Sequence, residues 1–231
     1  MINGTDSSKT FYLLNQTDKK IPIVFIHGVG LTHKIWQPQL DYFKDNTTIS
    51  YDILGHGNTP LNKSNISFDD FSEQLISLLN ELKFGKIHLI GFSIGSLIAR
   101  NFATKYNDRL KSLTLLGSIF KRSEEQQKIV NDRFNLAKKN LKLSRQSLKR
   151  WFTNEYLEKN PNTYEKISSI LEKNNMENFL KIYKLFVFHK NDENFQNIKV
   201  NTLIMTGEND IGSTVDMSKK LSEVINNSQL K

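Results

Sequence analysis

Residues 86–106, KIHLIGFSIGSLIARNFATKY, constrain the fold more than any other part of the chain. The run 86–90 (KIHLI) has the apolar character of a buried strand. Gly91 to Gly95 form a turn, and 96–106 carry Leu97, Ile98 and Phe102 along one side of a helix. A buried strand that passes through a tight turn straight into a helix is the unit of a parallel sheet covered by helices on both faces.

The same pattern recurs along the chain. Residues 21–26 (IPIVFI) end at His27-Gly28, and a weaker strand candidate, 11–14, precedes them. Residues 48–53 stop at the Gly55-His56-Gly57 turn. The segment 68–82 spaces Phe71, Leu75, Leu78, Leu79 and Leu82 as one helical face, with Ser67 as its N-cap. Further strands are expected at 110–116 and 200–205, with a helix at 215–225. Strands this short and apolar suit a doubly wound, mostly parallel α/β sheet, buried on both faces. Between 118 and 199 the pattern changes to lysine-rich helix with one proline, Pro161, no glycine, and aromatics at Phe134, Trp151, Phe152, Tyr156, Phe179, Tyr183 and Phe186. We read 119–198 as a helical insertion in a discontinuous core made of 1–118 and 199–231.

Gly91-Phe92-Ser93-Ile94-Gly95 fits Gly-x-Ser-x-Gly in the strand-before, helix-after setting that gives the motif its meaning. A serine nucleophile must stand above the sheet on a strained turn, and small residues two positions away on either side permit the close approach. The helix behind it aims backbone N–H groups at any oxyanion formed there. Ile94 N–H is one expected donor. Val29 N–H, in the His27-Gly28-Val29-Gly30 turn at the carboxyl edge of the sheet, is the other. His27 is expected to hold that loop through hydrogen bonds. The turn does not fit the dinucleotide fingerprint.

Composition removes other classes. The 231 residues contain no cysteine, which excludes disulfide scaffolds, thiolate zinc sites and a cysteine nucleophile. The formal charge of +8 comes from lysines mixed with asparagine and glutamate, without a nucleic-acid recognition motif, so it reads as a solvated surface. No signal-peptide core and no membrane-length apolar run are present. A cytoplasmic protein is expected, with a small-molecule acyl substrate, no nucleic-acid or membrane partner, no cofactor and no metal.

The stretches IVFIHGVG with Trp36 following, DILGHGNT, HLIGFSIGSLIARNFATKYNDRLKSLTLLGS and TLIMTGENDIGSTVDMSKKL resemble the α/β-hydrolase superfamily. The likeness is to its capped esterase and lactonase members, of the 3-oxoadipate enol-lactonase kind. The resemblance implies an α/β-hydrolase fold whose helical insertion is a cap over the active site. It implies a serine hydrolase of small carboxylic esters, lactones or related acyl compounds that works through an acyl-enzyme, with Ser93 as nucleophile. It assigns the triad acid to Asp210 in Gly207-Glu208-Asn209-Asp210, because the alternative place after 110–116 offers only Gly117 and Ser118. Serine at position 93 argues against dehalogenases and epoxide hydrolases, which use aspartate there.

The resemblance also calls for a histidine beyond the acid, after one more strand. All five histidines, His27, His33, His56, His88 and His189, precede Asp210. The expectation is therefore an α/β-hydrolase fold with its last strand, closing helix and catalytic histidine missing and an apolar sheet edge left open. His56 is the one stand-in on the correct edge of the sheet. The rival reading is a catalytically inactive ligand-binding or partner protein that keeps the pocket without the base.

Overall fold

The computed structural model describes residues 1–19, 21–140 and 148–231. Eight strands among them form one sheet: β1 (Ile2–Thr5), β2 (Phe11–Asn15), β3 (Ile23–Ile26), β4 (Thr48–Tyr51), β5 (Ile87–Phe92), β6 (Leu110–Leu116), β7 (Thr202–Met205) and β8 (Ser228–Leu230). Their order is β1-β2-β4-β3-β5-β6-β7-β8. β2 pairs antiparallel with both β1 and β4, and every other pairing is parallel. The helices are α1 (Gln37–Tyr42), α2 (Phe68–Glu81), α3 (Ile94–Lys105), α4 (Glu124–Asn140), α5 (Leu148–Trp151), α6 (Asn154–Lys159), α7 (Pro161–Glu172), α8 (Met176–Val187) and α9 (Val215–Val224). None among the described residues is long and apolar enough to cross a membrane.

Alternation along β3 shows how the sheet is covered. Val24 and Ile26 join the large core with Leu75 and Leu78 of α2 and Leu97 and Phe102 of α3. Ile23 and Phe25 join a smaller cluster with Trp36 and with Leu40 of α1. A strand whose two residue sets enter two clusters is buried on both faces, which explains its continuous apolar sequence. Each fully buried side chain of this size contributes about 1.5–3 kcal/mol. The start of α2 is fixed locally, because the Ser67 N–H donates to the Asp70 carboxylate at 2.8 Å, half of a capping box.

The expectation of a missing last strand is corrected. β8 lies parallel to β7, pairing Thr202 with Ser228 and Ile204 with Leu230, so the edge of β7 is covered. Its sequence, Ser-Gln-Leu, has a single apolar side chain and no buried residue. A solvated edge strand needs no apolar run, and it left no apolar signal to find.

Between β6 and β7 the described chain forms helices α4 to α8 and a short 3-10 turn at Phe195–Asn197. One end of this segment is tied into the core by a buried ion pair. Arg100 of α3, with no exposed surface, donates from Nη2 to Glu193 Oε1 at 2.6 Å and from Nη1 to the Ile119 carbonyl at 2.8 Å. His189 Nε2 lies 3.1 Å from the same Glu193 oxygen. The rings of Phe120 and Phe195 lie 5.7 and 5.0 Å from the guanidinium.

Candidate active site

The parallel registers bring four strand ends level. Ile26 pairs with Gly91, Gly91 with Leu115, and Leu115 with Ile204. Two residues further along each strand stand Gly28, Ser93, Gly117 and Thr206. The strand order reverses on either side of β3, and the crevice outside the carboxyl ends at such a reversal is where open α/β sheets bind ligands.

Ser93 occupies the turn between β5 and α3 at φ 56° and ψ −120°, a conformation that suits glycine and is strained for serine. Its N–H donates to the Leu116 carbonyl at 2.9 Å, and its carbonyl accepts from Ser96 N–H at 2.9 Å and from Ser96 Oγ. The Ser93 hydroxyl has no partner among the described residues.

The glycines around it are required by space. A Cβ on Gly91 would come 2.2 Å from the Gly95 carbonyl oxygen. A Cβ on Gly95 would come 2.5 Å from the Ile26 oxygen and 2.7 Å from the His27 oxygen, where α3 crosses the end of β3. These neighbours are backbone and cannot rotate away. Gly95→Ala is expected to destabilise the protein by about 3 kcal/mol in urea denaturation. Gly85→Ala, with nothing within 4 Å, should stay within about 0.5 kcal/mol of the parent.

The loop after β3 is held from two sides. His27 is fully buried, with Nδ1 2.8 Å from the Gly28 carbonyl and Nε2 accepting from Ile53 N–H at 3.1 Å. The Gly30 N–H donates to His56 Nε2 at 2.8 Å, and the Gly30 carbonyl accepts from Asn174 Nδ2, beyond α7, at 2.7 Å. Val29 N–H has no acceptor among the described residues. Neither has Ile94 N–H, at the first helical position, where no intrahelical acceptor exists.

Asp210 folds back over β6. Its Oδ1 accepts from Gly212 N–H at 2.8 Å and Ser213 N–H at 2.9 Å, while Oδ2 lies 3.6 Å from the position a Cβ would take on Gly117. Oδ2 accepts no hydrogen bond among the described residues. Glu208 and Asp216 are exposed, and Asp216 pairs with Lys220. Ser93, Val29 and Asp210 line one cavity of about 350 Å³. Ile94 sits directly behind Ser93 and is buried. Of the aromatics between β6 and β7, Trp151, Phe179, Tyr183 and Phe186 face this cavity, whereas Phe134 packs in a small cluster with Val130 and Val187.

No histidine lines the cavity. His56 has both ring nitrogens engaged, Nε2 by Gly30 N–H and Nδ1 by the Leu54 carbonyl at 3.3 Å, and burial pushes its pKa down to about 3. An imidazole so held cannot take a proton from Ser93. His33 pairs with buried Asp52 at 2.8 Å beneath the Gly55-His56-Gly57 turn. His88 pairs across the sheet with Ser112 Oγ at 2.8 Å. Sequence reasoning missed Arg122, Arg133 and Asn174. Their only signal is charge or amide in a helical segment that already carries many such residues.

Comparison with known proteins agrees with this architecture. The sequence model of the alpha/beta hydrolase fold family matches residues 21–231. A curated relative, (E)-2-((N-methylformamido)methylene)succinate hydrolase of Acinetobacter baylyi, is 30% identical over 206 residues, spanning 87% of this chain and 77% of that protein. The 3-oxoadipate enol-lactonase 2 of the same organism is 24% identical over 233 residues, spanning 100% of this chain and 86% of that protein. Among solved structures, an enol-lactonase from Burkholderia xenovorans superposes with a TM-score of 0.80 at 21% identity, over 96% of this chain and 86% of that one. With the family model covering nearly the whole chain and the sheet order, register and serine turn described above, the protein belongs to the alpha/beta hydrolase fold family.

Proposed function

We propose that this chain carries the machinery of a cofactor-independent serine hydrolase acting on small carboxylic esters, lactones or related acyl compounds. The observation that carries the reading is Ser93, strained at the β5–α3 turn, sharing one cavity with Asp210, whose Oδ2 has no donor among the described residues. Ser93 Oγ attacks the acyl carbonyl, and the N–H groups of Val29 and Ile94 hold the oxyanion. Asp210 orients an imidazole that takes the serine proton and returns it to the leaving group. Water then releases the acyl-enzyme. The helical segment 119–198 acts as the cap, since α4, α8 and the region of Trp151 supply the outer wall of the cavity. The relatives named as a hydrolase and an enol-lactonase support hydrolysis of a small acyl compound.

None of the five histidines reaches the cavity, so the 231 residues need an imidazole supplied from outside them. The test is labelling with a fluorophosphonate, with and without added imidazole, read by peptide mass spectrometry. We expect a single adduct on the Ser93 peptide that forms faster as imidazole is raised and is absent from Ser93→Ala. No Ser93 adduct at any imidazole concentration would overturn the proposal. That result, combined with saturable binding of small acyl ligands, would favour the inactive ligand-binding protein, a reading the missing imidazole also supports.

A further inference from the structure

The wall of the cavity carries an unbalanced charge. Its charged side chains among the described residues are Arg122, Arg133 and Asp210, two cations against one carboxylate, and Tyr183 adds a phenol; Asp210 accepts two backbone N–H groups through Oδ1 and keeps Oδ2 open. Arg122 stands just before α4, its guanidinium 4.7 Å from the Phe186 ring. One amino group, Nη1, donates to the Phe186 and Val187 carbonyls at 3.1 and 3.0 Å, at the end of α8. The other, Nη2, is buried without an acceptor. Burial lowers the pKa of this guanidinium to about 10, and the nearby Tyr183 hydroxyl opposes that shift only in part.

Arg133 is equally out of place. Gln126, Ile129, Val130, Arg133 and Ala137 of α4 all line the cavity. Their spacing, i, i+3, i+4, i+7 and i+11, marks the inward stripe of an amphipathic helix. Lys128, Asn135 and Lys139 point elsewhere, and an arginine belongs with them unless something in the cavity needs it. Arg133 makes no ion pair or hydrogen bond among the described residues. The remaining wall is largely apolar, with Leu31, Leu171, Phe179 and Phe186, so the two arginines are its strongest hydrogen-bond donors for an anion.

We propose that the cavity selects acyl compounds bearing a second group, a carboxylate, at the end remote from the reacting carbonyl, with Arg122 and Arg133 as its receptors. This rests on the serine-hydrolase reading for the identity of the reacting end, and it adds the class of substrate. A carboxylate offers two in-plane oxygens that accept from a half-filled guanidinium fork. A neutral ester of the same size leaves both cations without a counter-charge.

The test uses binding, so that it does not depend on turnover. Ser93→Ala protein is titrated with monomethyl glutarate, with its neutral counterpart methyl valerate, and with inorganic phosphate, by calorimetry and by the fluorescence of Trp151 at the cavity wall. We expect the monoanion to bind at least about tenfold more tightly than methyl valerate, and the preference to shrink as salt is added. In Arg122→Gln or Arg133→Gln that preference should fall toward unity. Arg122→Gln also strips a partner from α8, so Arg133→Gln, which removes no contact among the described residues, decides the matter if the first variant does not fold. Equal binding of ester and monoanion, phosphate binding as tightly as monomethyl glutarate, or a preference surviving in Arg133→Gln and in folded Arg122→Gln would overturn the assignment. A preserved preference for the monoanion beside a failed Ser93 label would uphold the anion site and sink the hydrolase reading alone.

Discussion

Hydrolysis of p-nitrophenyl acetate by this chain in the presence of imidazole should lose about a thousandfold, or about 4 kcal/mol of transition-state stabilisation, when Ser93 becomes alanine. The measured quantity is the protein-dependent, saturable part of the rate, after subtracting what imidazole does alone. On the proposed reading covalent attack disappears with the hydroxyl, while the N–H groups of Val29 and Ile94 and the cavity remain to give a residual rate. The fold should not suffer. The Ser93 hydroxyl has no partner among the described residues, and alanine keeps the same Cβ at the same positive φ. Ser93→Gly should abolish activity equally and raise stability by about 1 kcal/mol, because glycine adopts that backbone without strain. A protein-dependent rate unchanged in Ser93→Ala would remove Ser93 from the chemistry.

Glu193→Ala should be the most destabilising of the single substitutions considered, by about 3–5 kcal/mol, lowering Tm by about 10 °C. The loss leaves the Arg100 guanidinium fully buried with no carboxylate, between the rings of Phe120 and Phe195. Replacing the pair together, Arg100→Met with Glu193→Leu, should recover much of the loss, since neither charge then needs a partner. The effect also depends on pH in a fixed direction. Burial raises the Glu193 pKa, but the His189 hydrogen bond and the Arg100 charge outweigh it and hold the carboxyl at about 2, against 4.5 ordinarily. The contribution of this group is therefore complete above pH 4.5 and fades as pH falls toward 2. Thermal melts of the parent and Glu193→Ala should converge over that interval. A gap that stayed constant would show that the carboxylate is not held in the charged form by its partners.

The parts of this fold that sequence reveals are those where burial and backbone geometry leave few choices. β3 is apolar because both faces are covered, and the Gly91 and Gly95 positions are glycine because neighbouring backbone occupies the space of a Cβ. The strand at 110–116 emerges with the bounds the pattern suggests. β1 and β8, at the two edges, carry Ile-Asn-Gly-Thr and Ser-Gln-Leu, and solvent on an edge removes the pattern that betrays a strand. At the site, Ser93 and Asp210 are legible from motif. Arg122 and Arg133 are not, because what distinguishes them from other cations is which way the loop before α4 and the helix itself turn them, and only packing fixes that.

Gly30 is gripped by His56 in the core and by Asn174 in the helical layer, and this has a consequence for how ligands get in. Admitting a ligand by swinging α7 outward would break the Asn174 contact and loosen the same turn that presents Val29. Displacing the helical layer there and loosening the turn are then one motion, because a single glycine is shared by the core and the layer above it.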